Sequence, residues 1–355
     1  MDLKIDLLPQ KDRKPIPESV LDLVFGSKFT DHMFIMEYSD GHWKSPRIEP
    51  YHSLSLDPAA LVLHYGQGVF EGMKAYRRNN RIYLFRPEKN LERMNISAKR
   101  MVMPEIDKDF ILKAMEILLR IEESWIPKEK GTSLYIRPTM IATEPKLGVR
   151  PSEEYLFYII LSPVGPYFKG GFSPIGIYVA DRHVRAAEGG TGYSKTMGNY
   201  AASLLAGTLA KAQGYSQVLW LDAKERKYLE EVGTMNIFLV FDDEVVTPPL
   251  GGTILSGITR DSVISLLQKW GFNVQERQIS IEEVLDALEN GTMKEIFGCG
   301  TAAVIAPVGT LSYKDKSYIV AGGGIGPTTQ KLFDELTGIQ YGERSDPFGW
   351  VHIVP

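Results

Sequence analysis

The chain has 355 residues and a mass of 39.8 kDa, which at about 150 residues per domain predicts two domains. Apolar residues make up 44% and charged residues 24%, a composition that excludes a disordered or fibrous protein. The net charge of −4 argues against a broad nucleic-acid-binding surface, and the one cysteine, Cys299, excludes a disulfide-stapled secreted scaffold. The N-terminus lacks the basic region of a signal peptide and no apolar run has membrane-spanning length, so we expect a cytoplasmic protein.

The first half of the chain mixes strand and helix patterns. Asp40-Gly41 is typical of a hairpin turn, and a second hairpin is expected around Arg78-Asn79-Asn80. Pro87 favours the first turn of a helix. Apolar periodicity predicts strands over residues 34–38, 73–77, 81–85, 133–141 and 155–161, and helices from residue 87 and over residues 109–125.

A glycine- and proline-rich stretch follows at residues 162–174 and indicates a domain boundary. We therefore predict a smaller N-terminal domain over residues 1–164 and a linker over residues 165–176. A larger C-terminal domain, which carries Lys195, is predicted over residues 177–355.

The second half is also mixed. Ser280 and Glu283 form a capping box, which predicts the start of a helix that Gly291 ends. Further helices are expected over residues 199–213 and 259–270, and strands over residues 177–181, 217–221, 234–241, 294–297 and 302–305, the last two flanking a tight turn at 298–301. Without a regular βαβ rhythm, the fold class is α/β of a mixed, α+β-like kind, and neither a Rossmann sheet nor a TIM barrel.

The densest chemical signal is Gly189-Gly190-Thr191-Gly192-Tyr193-Ser194-Lys195, a glycine-rich loop that ends in a lysine before an apolar helix. Its spacing does not match a P-loop. Small and aromatic neighbours indicate partial burial of Lys195, which favours a neutral amine able to form a Schiff base. A flexible loop with a solvated lysine is the alternative.

A carboxylate and three anion-binding candidates accompany this lysine. Glu231 precedes a turn and an apolar strand, and it is either a solvated loop acid or the partner of a protonated pyridine nitrogen. The turns at residues 255–260 and 298–301 are typical of phosphate cradles, the first because it precedes a helix N-terminus. Arg93 on the helix from Pro87 is a candidate cation, or simply an exposed helix residue.

Six segments together resemble the branched-chain amino acid aminotransferases, which are pyridoxal 5'-phosphate (PLP) enzymes of fold type IV. They are His64-Tyr65-Gly66-Gln67-Gly68-Val69-Phe70-Glu71-Gly72, Leu84-Phe85-Arg86-Pro87 with Asn90-Leu91-Glu92-Arg93-Met94, Gly131-Thr132-Ser133-Leu134-Tyr135-Ile136-Arg137-Pro138, Lys195-Thr196-Met197-Gly198-Asn199-Tyr200, residues 231–238 and residues 297–302. The resemblance covers nearly the whole chain. It implies the two-domain fold of the D-amino acid aminotransferase type and a homodimer or higher homo-oligomer, with no nucleic-acid or membrane partner.

The resemblance also implies roles for individual residues. Lys195 is the implied catalytic residue, which binds the cofactor and moves a proton. The implied cofactor-binding residues are Lys195, Arg93, Tyr200, Glu231, Thr234, Ile258, Thr259 and Thr301. The implied substrate-binding residues are Phe25, Tyr65, Phe70, Tyr135, Tyr167, Thr234 and Ala302, with Val149 reaching the site of a partner subunit. No metal site is expected.

These residue types suit the implied substrates, which are L-leucine, L-isoleucine or L-valine with 2-oxoglutarate. Tyrosine rings offer an apolar face to an aliphatic side chain and a hydroxyl to glutamate. Arg137 or a tyrosine hydroxyl is expected to meet glutamate's second carboxylate. Ala303 and Ala306 stand where animal members have a redox Cys-x-x-Cys, so a microbial origin is favoured and Cys299 is expected to be buried and inert.

Three other functions remain open from the sequence. Two are other fold type IV activities, D-amino acid aminotransferase and aminodeoxychorismate lyase. The third is a non-catalytic anion-binding module.

Overall fold

The computed structural model describes residues 2–21, 23–168 and 170–355. The strands are β1 (Lys4–Ile5), β2 (His32–Ser39), β3 (His42–Pro50), β4 (Gly68–Phe70), β5 (Met73–Arg78), β6 (Arg81–Phe85), β7 (Ser133–Ala142), β8 (Tyr155–Val164), β9 (Ile175–Val179), β10 (Gln217–Leu221), β11 (Leu229–Val232), β12 (Met235–Phe241), β13 (Val245–Thr247), β14 (Val274–Glu276), β15 (Met293–Gly300), β16 (Val304–Tyr313), β17 (Lys316–Ile319) and β18 (Val351–Ile353). The helices are α1 (Leu61–Tyr65), α2 (Pro87–Arg100), α3 (Lys108–Ile121), α4 (Met197–Ala212), α5 (Ile258–Lys269), α6 (Ile281–Asn290) and α7 (Pro327–Gln340). Within these described residues, no helix combines the length and the apolar character that crossing a membrane requires.

The chain forms two compact units. The first contains Met1–Lys169, Ser194–Met197 and Gly338–Pro355, and the second contains Gly170–Tyr193 and Gly198–Thr337. Lys195 thus belongs to a four-residue segment of the first unit. The predicted domain boundaries, 1–164, 165–176 and 177–355, stay a prediction.

The first unit is built on a sheet with the strand order β1-β3-β2-β8-β7-β5-β6-β18, and β4 adds to β7. Both predicted hairpins are confirmed. Asp40 and Gly41 have φ of 54° and 80°, and Asn79 and Asn80 have φ of 49° and 59°. These left-handed pairs are typical of two-residue hairpin turns, because their twist matches that of the flanking strands.

Two helices complete the buried core of this unit. Pro87 starts α2 as predicted, and the Asp107 side chain caps α3 by accepting a hydrogen bond of 3.1 Å from Phe110 N. Leucines and methionines of both helices form one buried cluster with the sheet. The prediction of one helix over residues 109–125 was wrong at its end, because α3 stops at Ile121 and a short 3-10 turn occupies Glu123–Trp125.

The second unit has a sheet with the order β11-β10-β9-β16-β15-β12-β13-β14, and β17 adds to β16. β11 also pairs with β12, so six of its strands close into a ring. The predicted N-terminal cap by Ser280 is confirmed, since its Oγ accepts a 3.0 Å hydrogen bond from Glu283 N, while the Glu283 carboxylate contacts Arg277. Gly291, with φ of 79°, ends that helix as predicted.

Two predictions near the sheets were wrong. The turn expected at 298–301 is mostly strand, because β15 continues to Gly300 and Gly298 pairs with Ala306. A Cβ on Gly298 would lie 2.9 Å from Met235 Cε, so close packing and not turn geometry explains this glycine. The stretch 162–174 begins inside β8, which runs to Val164. The sequence patterns also do not predict α1, α7, β1, β4, β11, β13, β14, β17 or β18.

Candidate active site

Lys195 is fixed to the first unit by its backbone. Its amide N donates a 2.9 Å hydrogen bond to Ser97 Oγ, and its carbonyl O accepts a 3.1 Å bond from Phe70 N. The next residue, Thr196, donates through Oγ1 to Gly68 O at 2.8 Å. The Lys195 side chain is half-buried, as predicted, and its Nζ lies 5.1 Å from the centre of the Phe70 ring.

A buried ion pair neighbours this lysine. Arg93 contacts Glu71 through two hydrogen bonds, Nε to Oε1 at 2.7 Å and Nη2 to Oε2 at 2.9 Å. Asn90 Nδ2 and Gly72 N donate further bonds to Glu71 Oε2 at 2.8 and 3.1 Å. Burial alone would raise the pKa of the Glu71 carboxyl, but Arg93 and the charge of Lys195 bring this pKa below its usual value. Glu71, Arg93 and Lys195 therefore form one charged cluster.

Sequence reasoning assigned no role to Glu71, although it lies in a quoted segment. It is fully buried, and it orients Arg93. An acidic residue next to a glycine gives no local sign of burial, so only the tertiary structure reveals this pair. The phosphate-binding role of Arg93 stays a prediction.

Five of the predicted substrate-side residues lie together in the first unit. The Tyr135 ring is 4.9 Å from the Phe25 ring, which is 5.8 Å from the Tyr167 ring. Arg137 lies over the Phe70 ring at 4.7 Å and donates through Nη2 to the Tyr135 hydroxyl at 3.0 Å. The cluster thus combines apolar ring faces with a cation and a hydroxyl.

Two other predicted residues of the first unit lie at the surface. Tyr65 is 41% exposed, and its hydroxyl donates to Leu147 O. Val149 is 85% exposed. Their predicted contacts with substrate stay predictions.

Glu231 is held rigidly in the second unit. It is buried on β11, and its Oε1 accepts hydrogen bonds from Leu255 N at 2.9 Å and from Asn236 Nδ2 at 3.4 Å. Arg185 Nε lies 2.9 Å from the other oxygen, Oε2. These contacts fix the position of the carboxylate. The solvated-loop alternative is thereby excluded for Glu231.

Sequence reasoning missed Arg185 and Asn236. Arg185 Nη2 also donates to the backbone oxygens of Gly192 and Thr253, so it ties the glycine-rich loop to the segment before α5. A single arginine before a glycine-rich loop fits no motif. Asn236 lies opposite Glu231 in the hairpin that β11 and β12 form around the Gly233 turn. A prediction of the strand pairing in this hairpin would have placed the two side chains next to each other.

The N-terminus of α5 matches a phosphate cradle. Gly257 precedes the helix without a side-chain cap, and both Ile258 and Thr259 are buried. The helix dipole makes this end attractive to anions. A Cβ on Gly257 would lie 1.9 Å from Asn236 Oδ1, so only glycine allows this loop to approach Asn236.

The remaining predicted residues lie on loops and on one helix of the second unit. Tyr200 is half-buried on α4, and Thr234 is exposed in the turn between β11 and β12. Thr301 and Ala302 are half-buried in the turn after β15. Cys299 is fully buried as predicted, and burial raises the pKa of its thiol.

Comparisons with known proteins agree with this geometry. The family model of amino-transferase class IV matches residues 68–311. "Branched-chain-amino-acid aminotransferase 2" of Bacillus subtilis is 53% identical over 354 residues, which cover 99% of this chain and 97% of that protein. A "Probable branched-chain-amino-acid aminotransferase" of Staphylococcus epidermidis is 49% identical over 357 residues, covering 100% of this chain and 99% of that one.

Solved structures give the same result. The Escherichia coli branched-chain amino acid aminotransferase aligns with a TM-score of 0.76 at 28% identity, covering 92% of this chain and 99% of that chain. A T.th. branched-chain amino acid aminotransferase with pyridoxamine 5'-phosphate aligns with a TM-score of 0.75 at 25% identity, covering 90% of this chain and 98% of that chain. The chain belongs to the class IV amino-transferase family, and its relatives at about half identity are branched-chain-amino-acid aminotransferases by name. The predicted family and its mixed α/β, fold type IV class are confirmed.

The residues present fit PLP, the cofactor of this family. The first unit offers a half-buried amine, Lys195, for an aldehyde. The second unit offers a fixed carboxylate, Glu231, for a pyridine nitrogen and the N-terminus of α5 for a phosphate. These groups match the aldehyde, the ring nitrogen and the phosphate of the cofactor.

Proposed function

We propose that this chain catalyses reversible transfer of the amino group of L-leucine, L-isoleucine or L-valine to 2-oxoglutarate, giving branched 2-oxo acids and L-glutamate. The observation that carries the proposal is Lys195, whose backbone is fixed on both sides and whose amine lies beside the Phe70 ring and belongs to the charged cluster with Glu71 and Arg93. Relatives that are 49% and 53% identical in sequence over nearly the full length of the chain are named branched-chain-amino-acid aminotransferases.

The chemistry divides between cofactor and protein. Bound PLP supplies an aldehyde that accepts the amino group and a ring that withdraws electrons from the substrate α-carbon. Lys195 Nζ would hold the cofactor until the substrate amine displaces it, and the freed amine would then move the α-carbon proton. Glu231 supplies a fixed negative charge for the protonated ring nitrogen, and Arg185 and Leu255 keep that carboxylate in place.

Substrate binding is assigned to the aromatic residues and to Arg137. The rings of Phe25, Phe70 and Tyr135 accept an aliphatic side chain. Arg137, whose guanidinium lies against the Phe70 and Tyr135 rings, receives the second carboxylate of glutamate. The same cluster of side chains then serves both substrates of the reaction.

Replacing the lysine tests the proposal. Lys195→Ala should lower kcat with L-leucine and 2-oxoglutarate by about 10³-fold or more, because the residue that moves the proton is lost. The visible absorbance of the covalently held cofactor should disappear as well. Lys113→Ala, which removes an exposed lysine of α3, is the control and should leave both readouts unchanged. Turnover by Lys195→Ala above about a tenth of the wild-type rate would contradict the proposal.

The substrate profile separates this activity from others of the same fold. The purified enzyme should turn over L-leucine with 2-oxoglutarate and should not turn over D-alanine or aminodeoxychorismate. The opposite profile would favour one of the other fold type IV activities.

We also propose that the enzyme acts in the cytoplasm as a homodimer or a higher homo-oligomer. Support for self-association comes from α4, which buries Asn199, Ala206 and Ala210 but leaves Leu204, Leu205 and Leu209 between 47% and 67% exposed. Three exposed leucines on the side of a helix that faces away from its buried residues are unusual at a water-facing surface.

A further inference from the structure

One cavity lies entirely in the second unit and has a volume of about 570 Å³. Its described lining comes from the loop after β10, from β11, from the segment between β13 and α5, and from residues 187, 188 and 278. Glu230 belongs to this lining and Glu231 does not. The cavity is therefore distinct from the carboxylate assigned to the cofactor.

Glu230 has an unsatisfied oxygen. The residue is 6% exposed, and its Oε2 accepts no hydrogen bond from any residue that the structure describes. Burial raises the pKa of this carboxyl, although Thr253 and Arg185 act in the opposite direction. A buried acceptor without a donor is costly, so a ligand that brings an N–H group would be stabilised here.

The charge of the lining selects a cation. Among the described lining residues there are four carboxylates, those of Glu188, Asp222, Glu225 and Glu230, against one ammonium, that of Lys224. Backbone N–H groups of residues 224, 225, 227 and 228 already satisfy Asp222. Glu230 is thus the buried carboxylate that remains available for a ligand.

Apolar side chains make up much of the remaining wall. Leu229, Pro248, Pro249 and Ile254 line the cavity together with two alanines. Such a wall favours a hydrocarbon group over a hydrated metal ion, which would keep its water shell.

We propose that this cavity is a binding site for a small organic cation, namely an ammonium group with at least one N–H and a compact hydrocarbon body. The N–H donates to Glu230 Oε2, and the hydrocarbon packs against Leu229, Pro248 and Ile254. This site is separate from the proposed transamination, and its test needs no turnover.

Calorimetric titration of the holoenzyme with triethylammonium chloride at pH 8 tests the site, with sodium chloride of equal ionic strength as the blank. A tertiary amine is protonated at this pH, keeps one N–H and cannot condense with a carbonyl group. We expect saturable binding that weakens at least about tenfold in Glu230→Gln, because the anionic partner is lost. Glu289→Gln removes an exposed carboxylate outside the cavity and should leave the affinity unchanged.

A second variant tests the cavity without changing Glu230. Gly251 lines it, and a Cβ added there would meet no atom within 4 Å. Gly251→Phe should therefore fold and should reduce triethylammonium binding by filling the site. Absence of saturable binding to the wild type, or equal binding to Glu230→Gln, would overturn the proposal. If Gly251→Phe binds triethylammonium as tightly as the wild type does, the binding site is not in this cavity.

Discussion

At the scale of single residues, Glu71 determines the electrostatics of the first unit's charged cluster. It is fully buried, yet its pKa lies below the usual value because Arg93 and Lys195 oppose the effect of burial. It also fixes the Arg93 guanidinium through two hydrogen bonds. Removing its charge would leave a buried arginine without its partner.

Glu71→Gln should therefore lower the free energy of unfolding at pH 7 by about 3–5 kcal/mol. A carboxyl with a lowered pKa stabilises the fold above its unfolded pKa, and this contribution is lost as the pH falls through the folded pKa. The difference between wild type and variant should accordingly shrink in acid, which thermal unfolding from pH 7 to pH 3 measures.

Glu92→Gln on the same helix as Arg93 is the matched control. Its partner Lys89 is exposed, and surface pairs of this kind contribute about 0–1 kcal/mol. A similar loss in the free energy of unfolding in both variants would contradict the claim that the buried Glu71–Arg93 pair stabilises the fold more than a surface pair does.

The sequence predicted some of these residues and not others for a physical reason. Lys195 and Glu231 stand in unusual local patterns, a glycine-rich loop and a carboxylate before a turn, so their chemistry is visible locally. Glu71 and Arg185 matter through partners 22 and 46 positions away, Arg93 and Glu231. Local patterns carry no information about such pairs.

At the scale of elements, turns and caps were predicted well because a few adjacent residues determine them. Asp40-Gly41 and Asn79-Asn80 adopt the left-handed backbone that their residue types favour. Gly298 was misread, because a glycine required for close packing inside a strand has the same appearance in sequence as a glycine required for a turn. The contact that distinguishes them, with Met235, lies far away in the chain.

The cap of α6 gives a prediction at this scale. Ser280→Ala removes the acceptor of the Glu283 N–H and should cost about 1 kcal/mol of stability. Ser280→Asp keeps an acceptor at the same position and should restore most of this loss. Denaturant unfolding measures both values, and equal stability of alanine and aspartate variants would contradict the capping role.

At the scale of the whole molecule, α4 leads to a prediction about assembly. If its exposed leucines face a second copy of the chain, the wild type should have a mass in solution of at least twice 39.8 kDa. Leu205→Glu should shift the mass toward 39.8 kDa, because a charge in an apolar contact costs far more than one in water. Light scattering after size-exclusion chromatography measures both masses.

Gln268→Glu adds the same charge on the exposed side of α5 and should leave the mass unchanged. A wild type that elutes with the mass of one chain would contradict the proposed homo-oligomer. A Leu205→Glu variant that keeps the wild-type mass would exclude α4 from the contact.

The first unit is assembled from three separate stretches, and this has a consequence for biosynthesis. Strand β18 pairs with β6 across more than 260 intervening positions, and Thr196 bridges to Val69. A nascent polypeptide that has emerged from the ribosome only as far as residue 169 therefore still lacks the segment with Lys195 and an outer strand of its own sheet. We expect the residues of the first unit that have already emerged to stay incompletely folded, and accessible to chaperones, until residues 351–353 have emerged as well.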